Sequence, residues 1–167
     1  MICILFRHGI AADREDWARD DALRPLTQKG VKRTQAAASG LLQLEIDPDH
    51  ILSSPFVRAL DTAQVIREVF KLREDVQVRD ELLPDAPPDK LFPALSVLPS
   101  DACVLCVGHE PNLGEIAGLM LFGKPVAGLS LKKAGACCVE FEQGPRAGHG
   151  VLHWWLTPSQ LRWLAKD

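Results

Sequence analysis

Three short stretches carry side chains suited to chemistry on an anion. Arg7-His8-Gly9 stands where the apolar run Ile2 to Phe6 ends, and Gly108-His109 stands where a second run, Cys103 to Val107, ends. Arg58 follows the triplet Ser53-Ser54-Pro55. Arginine presents paired N–H donors that match phosphate oxygens, and exposed backbone N–H groups at helix starts add more. Phosphoryl transfer depends mostly on positioning the group and stabilising charge on its equatorial oxygens. Two arginines and a protonated histidine can supply that without a metal, so neither metal nor cofactor is expected. The other histidine is then free to attack phosphorus, giving a phosphohistidine that water hydrolyses in a second in-line step. His8 is the better nucleophile, because Gly9 leaves room for close backbone approach and Arg7 stands beside it.

These residues need a frame that brings them together. Continuous apolar runs of this length suit strands buried on both faces, as in a parallel sheet. In open α/β sheets, ligands bind beyond the carboxyl ends of the strands. A polar loop from Ile10 to Leu26 follows the first strand. Thr27 then reads as an N-cap, with Val31, Thr34, Ala38, Leu41 and Leu42 at helical spacing. Ile51-Leu52 makes a short buried strand. Ser53-Ser54-Pro55 reads as a helix start, with serine at the cap and proline at the first helical position. That puts Arg58 in the first turn of a helix carrying Ala59, Ala63, Ile66 and Phe70 on one face. A proline-rich loop with a short helix near Lys90 to Leu98 leads to the second histidine-bearing strand and its helix. Two strands (Gly135 to Phe141, Gly150 to Leu156) and a helix from Ser159 close the chain. The order predicts an α/β three-layer sandwich with a mainly parallel central sheet and helices on both faces. Nothing divides the chain, so residues 1–167 are expected to form one domain.

Composition narrows the class. The chain has 167 residues, 47% hydrophobic and 25% charged, which is the balance of a globular domain with a real core. A net charge of −3 argues against a nucleic-acid partner. No apolar stretch approaches the ~18 residues of a membrane helix, and no secretory signal is visible. Five cysteines, all in apolar runs, read as buried reduced thiols in a cytoplasmic protein. Cys103 and Cys106 have redox-motif spacing, but residues three apart on a strand point to opposite faces.

Three blocks together resemble the histidine phosphatase (phosphoglycerate-mutase-like) superfamily: Arg7-His8-Gly9, the stretch Ser53 to Ala63, and Gly108-His109. Arg24-Pro25-Leu26-Thr27-Gln28-Lys29-Gly30 and Gly108 to Leu113 are similar to its small SixA-type phosphohistidine phosphatases. The resemblance implies a phosphoglycerate-mutase-like fold. It makes His8 the phosphate acceptor, with Arg7, Arg58 and His109 catalytic around the phosphate and Gly9 beside it. Many superfamily members place a glutamate proton donor where this chain has Pro84-Asp85. Asp85, Asp21 and Asp20 are the candidates to replace it. The gap suits a phosphoramidate, whose imidazole nitrogen can take its proton beforehand, whereas an alcohol leaving group needs one in the transition state. The expected activity is hydrolysis through phosphohistidine on His8, with phosphohistidine in a protein as substrate. A small phosphate ester is the alternative, and a phosphate-binding module without turnover is a third.

Each residue also has a plain structural reading. Arg58 alone would be a surface residue paired to Asp61 or Thr62, and His109 a helix cap. His50, His149 and His153 have no partner motif. Lys132-Lys133 reads as a solvated turn, and Trp154, Trp155 and Trp163 as cover for the sheet and the last helix.

Overall fold

The computed structural model describes residues 1–166. Each strand's apolar run is long enough to cross a sheet, and the polar stretches between them close into helices or turns. Six strands form one sheet among the described residues: β1 (Ile2–Arg7), β2 (His50–Ser53), β3 (Gln77–Val78), β4 (Cys103–Gly108), β5 (Ala136–Glu140) and β6 (Val151–Leu156). Their spatial order is β3-β2-β4-β1-β5-β6. The first four run parallel, and β5 and β6 are added antiparallel. A mainly parallel sheet is therefore what the sequence pattern specifies. The two-residue β3 lies within what reads as loop, because so short a strand leaves no periodicity.

Helices α1 (Gln28–Leu42), α2 (Val57–Phe70) and α5 (Pro158–Leu164) cover one face, where Ala38, Leu41, Ala63, Ile66 and Leu161 meet Ile4 and Phe6. Helices α3 (Leu91–Ser96) and α4 (Asn112–Phe122) cover the other, where Leu91, Leu95, Leu113 and Ile116 meet Leu5 and Cys106. Cys103 and Cys106 fall on opposite faces. All five cysteines are free and buried. Among the described residues no helix is long and apolar enough to cross a membrane.

Several local expectations change. Thr27 caps α1 through its hydroxyl, which accepts from the Gly30 amide. Val31 and Leu42 of that helix are exposed, however, and Ala37 and Gly40 take the buried face instead. Helix α2 starts at Val57 after Phe56, two residues later than the Ser-Pro pattern suggests. Ser54 and Pro55 stay outside because the Ser54 hydroxyl is engaged elsewhere, as described below. Trp154 and Trp155 pack against the two cores, but Trp163 is largely exposed. His50 and His153 do have partners, Glu74 and Glu140 respectively.

Candidate active site

Register decides which residues meet. In the β1–β4 pair Arg7 stands opposite Gly108, so the next residue on each strand is a histidine. The His8 amide donates to the Gly108 carbonyl at 3.0 Å, and the two imidazole centroids lie 4.9 Å apart. Strand β2 ends beside β4, and the turn from Ser54 into α2 delivers Arg58 to the same edge. Arg7, His8, Arg58 and His109 thus line one cleft of about 900 Å³ at the carboxyl ends of the parallel strands.

The His8 ring has a defined tautomer. Its Nδ1 lies 2.8 Å from the Gly9 carbonyl oxygen. A carbonyl only accepts, so Nδ1 carries the proton and Nε2 keeps its lone pair. Burial pushes the His8 imidazole down to about 3, with the charges of Arg58, Arg7 and Lys133 adding to the effect against the opposing Gly9 bond. His8 is therefore a neutral ring in a positive field at ordinary pH. His109 is likewise pushed down, to about 2, by burial and then by its neighbours His8 and Arg58. Its Nε2 lies 2.8 Å from the Ser54 hydroxyl, and the edge of Phe56 packs against the ring. Its Nδ1 is buried with no hydrogen-bond partner among the described residues. The site holds both rings neutral, so the protonated histidine expected from sequence requires an arriving dianion to reverse the local field.

Both arginines are held by some donors and keep others free. Arg7 Nη1 donates to the Leu131 carbonyl at 2.7 Å, while its Nε is buried and unpartnered. Arg58 Nη1 donates to the Asp21 carbonyl at 2.8 Å, and its Nη2 lies 3.0 Å from the Asp21 carboxylate. The guanidinium carbon sits 4.8 Å over the Phe56 ring, and Nε is again buried and free. The Arg58 guanidinium is therefore paired to Asp21, across 37 residues, and to neither Asp61 nor Thr62 as helix spacing suggests.

Gly9 contributes differently from expectation. Its amide donates to Thr62 Oγ1 at 2.9 Å and its carbonyl holds the His8 ring, so its own polar groups are spent. A Cβ there would lie 2.3 Å from Thr34 Oγ1, so the missing side chain makes room for α1. Thr62 in turn donates to the Arg58 carbonyl at 2.7 Å, which links the ring-holding turn to α2.

The three proton-donor candidates separate clearly. Asp20 caps a 3-10 turn at Asp21–Leu23 and does not line the cleft. Asp21 lines it, but Arg58, Arg24 and Arg14 hold its carboxyl below the usual range, overcoming burial, which alone would raise it. Asp85 lines the cleft too. Asn112 fixes the segment before Asp85 by donating to the Glu81 and Leu83 carbonyls.

Sequence reasoning missed four contributors: Ser54 and Thr62 as ring and turn supports, and Arg24 and Glu110 in the cleft wall. Arg24 donates to Asp21 at 3.0 Å and to the Ala12 carbonyl at 2.8 Å, bracing the loop. Glu110 accepts from the Leu131 amide at 2.8 Å, and the next carbonyl is the one that holds Arg7. Lys133, expected to be solvated, also lines the cleft. Arg24 and Glu110 fall inside the stretches that carry the family resemblance, which is the one signal that pointed to them.

Comparison with known proteins gives a consistent result. Residues 3–83 match the model of the histidine phosphatase superfamily (branch 1). The phosphohistidine phosphatase SixA homolog of Haemophilus influenzae is 32% identical over 133 residues, covering 74% of this chain and 79% of that protein. Phosphohistidine phosphatase SixA of Escherichia coli (strain K12) is 25% identical over 164 residues, covering 97% of each chain. A solved structure of the protein histidine phosphatase SixA complexed with tungstate superposes with a TM-score of 0.84 at 26% identity, covering 96% of this chain and 99% of that one.

Proposed function

This chain belongs to the histidine phosphatase superfamily, and on that premise we propose that it removes the phosphoryl group from phosphohistidine in proteins through a covalent intermediate on His8. The observation that carries the reading is the fixed tautomer: Nδ1 is tied to Gly9, so Nε2 faces the cleft unprotonated among Arg7, Arg58 and His109. Attack by that lone pair forms the Nε2–P bond and breaks the bond to the leaving nitrogen. The guanidinium groups of Arg7 and Arg58, which line the cleft with His109, are the charges that meet the equatorial oxygens as negative charge builds there. Water then attacks phosphorus, releasing phosphate and restoring neutral His8.

Asp21 is consumed in holding Arg58 and is no acid for the leaving group. Phosphohistidine does not need one, because the other nitrogen of its imidazole takes a proton before the bond breaks and the bridging nitrogen leaves with the bonding pair as part of a neutral ring. A small phosphate ester is the second reading, favoured by a cleft volume in the range of small-molecule sites and by Asp85 and Glu110 on its wall. We further infer a single domain working in a reducing compartment such as the cytoplasm, supported by the five free thiols.

The test is rapid-quench labelling with a protein radiolabelled on phosphohistidine, wild type against His8→Ala. Label that is acid-labile and base-stable on the wild type alone, with phosphate released, is the expected result. Release of phosphate by His8→Ala at the wild-type rate would remove His8 from the reaction.

A further inference from the structure

Beside the cleft lies a second, smaller cavity of about 130 Å³ whose charged lining is wholly cationic: Arg33, Lys132, Lys133 and Arg162. It shares Ile10 and Lys133 with the catalytic cleft, so the two form one continuous surface. The four cations come from three separate segments. Arg33 belongs to α1, Arg162 to α5, and the lysines to the segment before β5. That segment cannot swing away. The Ala134 amide donates to the carbonyls of both Arg7 and His8, and Leu131 beside the lysines is buried.

Like charges gathered this way repel one another, and folding tolerates the cost only where something offsets it. Among the described residues none of the four forms an ion pair with a carboxylate. The three contributing segments contain no acid at all: α1, residues 124–135 and α5 have neither Asp nor Glu, in a chain that carries 22 of them. Helix α1 also places Lys29, Lys32 and Arg33 in its first two turns, where the helix dipole disfavours cations. A protein of net charge −3 has thus kept one acid-free basic face, next to its catalytic cleft.

We propose that this face docks the phosphorylated protein substrate through acidic residues flanking its phosphohistidine, with Arg33, Lys132 and Arg162 receiving carboxylates while Lys133 borders the phosphoryl group. The proposal rests on the phosphatase reading for the identity of the partner. The position of the face favours a substrate chain over a nucleic acid, because whatever binds here runs directly into the cleft.

The experiment compares wild type with Arg33→Glu/Lys132→Glu/Arg162→Glu, leaving the cleft-lining Lys133 intact. Substrates are free phosphoimidazole and three phosphohistidine peptides, with acidic, neutral or basic flanks. Wild type should favour the acidic peptide over the neutral one by about tenfold in kcat/KM at low salt, the scale expected of a few exposed ion pairs. The preference should shrink as salt shortens the screening length. The triple variant should lose it while hydrolysing phosphoimidazole at the wild-type rate. Equal use of all peptides by wild type, or a preference that survives the charge reversal, would overturn the docking face. Should wild type hydrolyse none of the four substrates, the phosphatase reading fails, and the face is judged by fluorescence anisotropy alone. Wild type should then bind the unphosphorylated acidic peptide, and the triple variant should not. Tighter binding of a DNA oligonucleotide than of that peptide would overturn the proposal in favour of a nucleic-acid surface.

Discussion

Asp21 shows how a side chain that sequence offers as an acid can be engaged, in three dimensions, by two arginines. As an acid in the loop after β1 it is a candidate proton donor, but its carboxylate is paired with Arg58 and Arg24, and its backbone carbonyl accepts a further bond from Arg58. Asp21→Asn should therefore lower kcat/KM about tenfold, because misplacing a clamp by a fraction of an ångström degrades transition-state contacts. The loss should be the same across a series of leaving groups of differing basicity. A loss confined to poor leaving groups would instead make Asp21 the acid. The residue types that do chemistry were legible because Arg, His and Gly at strand ends have few other uses together. Their supports were not. Ser54, Thr62, Asp21 and Glu110 act through contacts spanning 21 to 55 residues, and no local spacing encodes such pairs.

At the scale of elements, the start of α1 matters to the cleft as much as to stability. Gly30 sits in its first turn, where an added Cβ would lie 2.0 Å from the Ile10 carbonyl oxygen. Ile10 begins the cleft wall, and its carbonyl also accepts from the Thr27 amide. Gly30→Ala should cost about 2 kcal/mol by denaturant unfolding, in the range for overpacking a tight contact. It should also raise KM, since α1 and the loop must part; an unchanged KM would separate the two. Strand ends, the Thr27 cap and the two-face core were visible in apolar runs and capping chemistry. The start of α2 was misread because serine before proline signals a cap. Here the Ser54 hydroxyl instead faces His109 and accepts from Phe56, so the helix waits until Val57.

For the whole molecule, the two buried imidazoles tie stability to pH. In the unfolded chain both titrate near ~6.5, whereas in the fold they are pushed down to about 3 and about 2. The unfolded state therefore binds more protons between those limits, and stability falls as pH drops below about 6.5 toward 3. Thermal unfolding between pH 7.5 and 5 should show the midpoint falling, and His8→Asn should make that slope shallower. Saturating inorganic phosphate, the product of the proposed reaction, should also flatten it, because an anion beside the rings favours their charged form. An equal slope in His8→Asn would take that ring out of the balance. The sheet that carries those rings also carries every cysteine of the chain, on β1, β4 and β5, the three adjacent strands at its middle. Cys3, Cys106 and Cys137 have no exposed surface and pack under α3 and α4, so a thiol reagent reaches them only when that helical layer lifts, and the rate at which these three thiols react is a clock for how often that core opens.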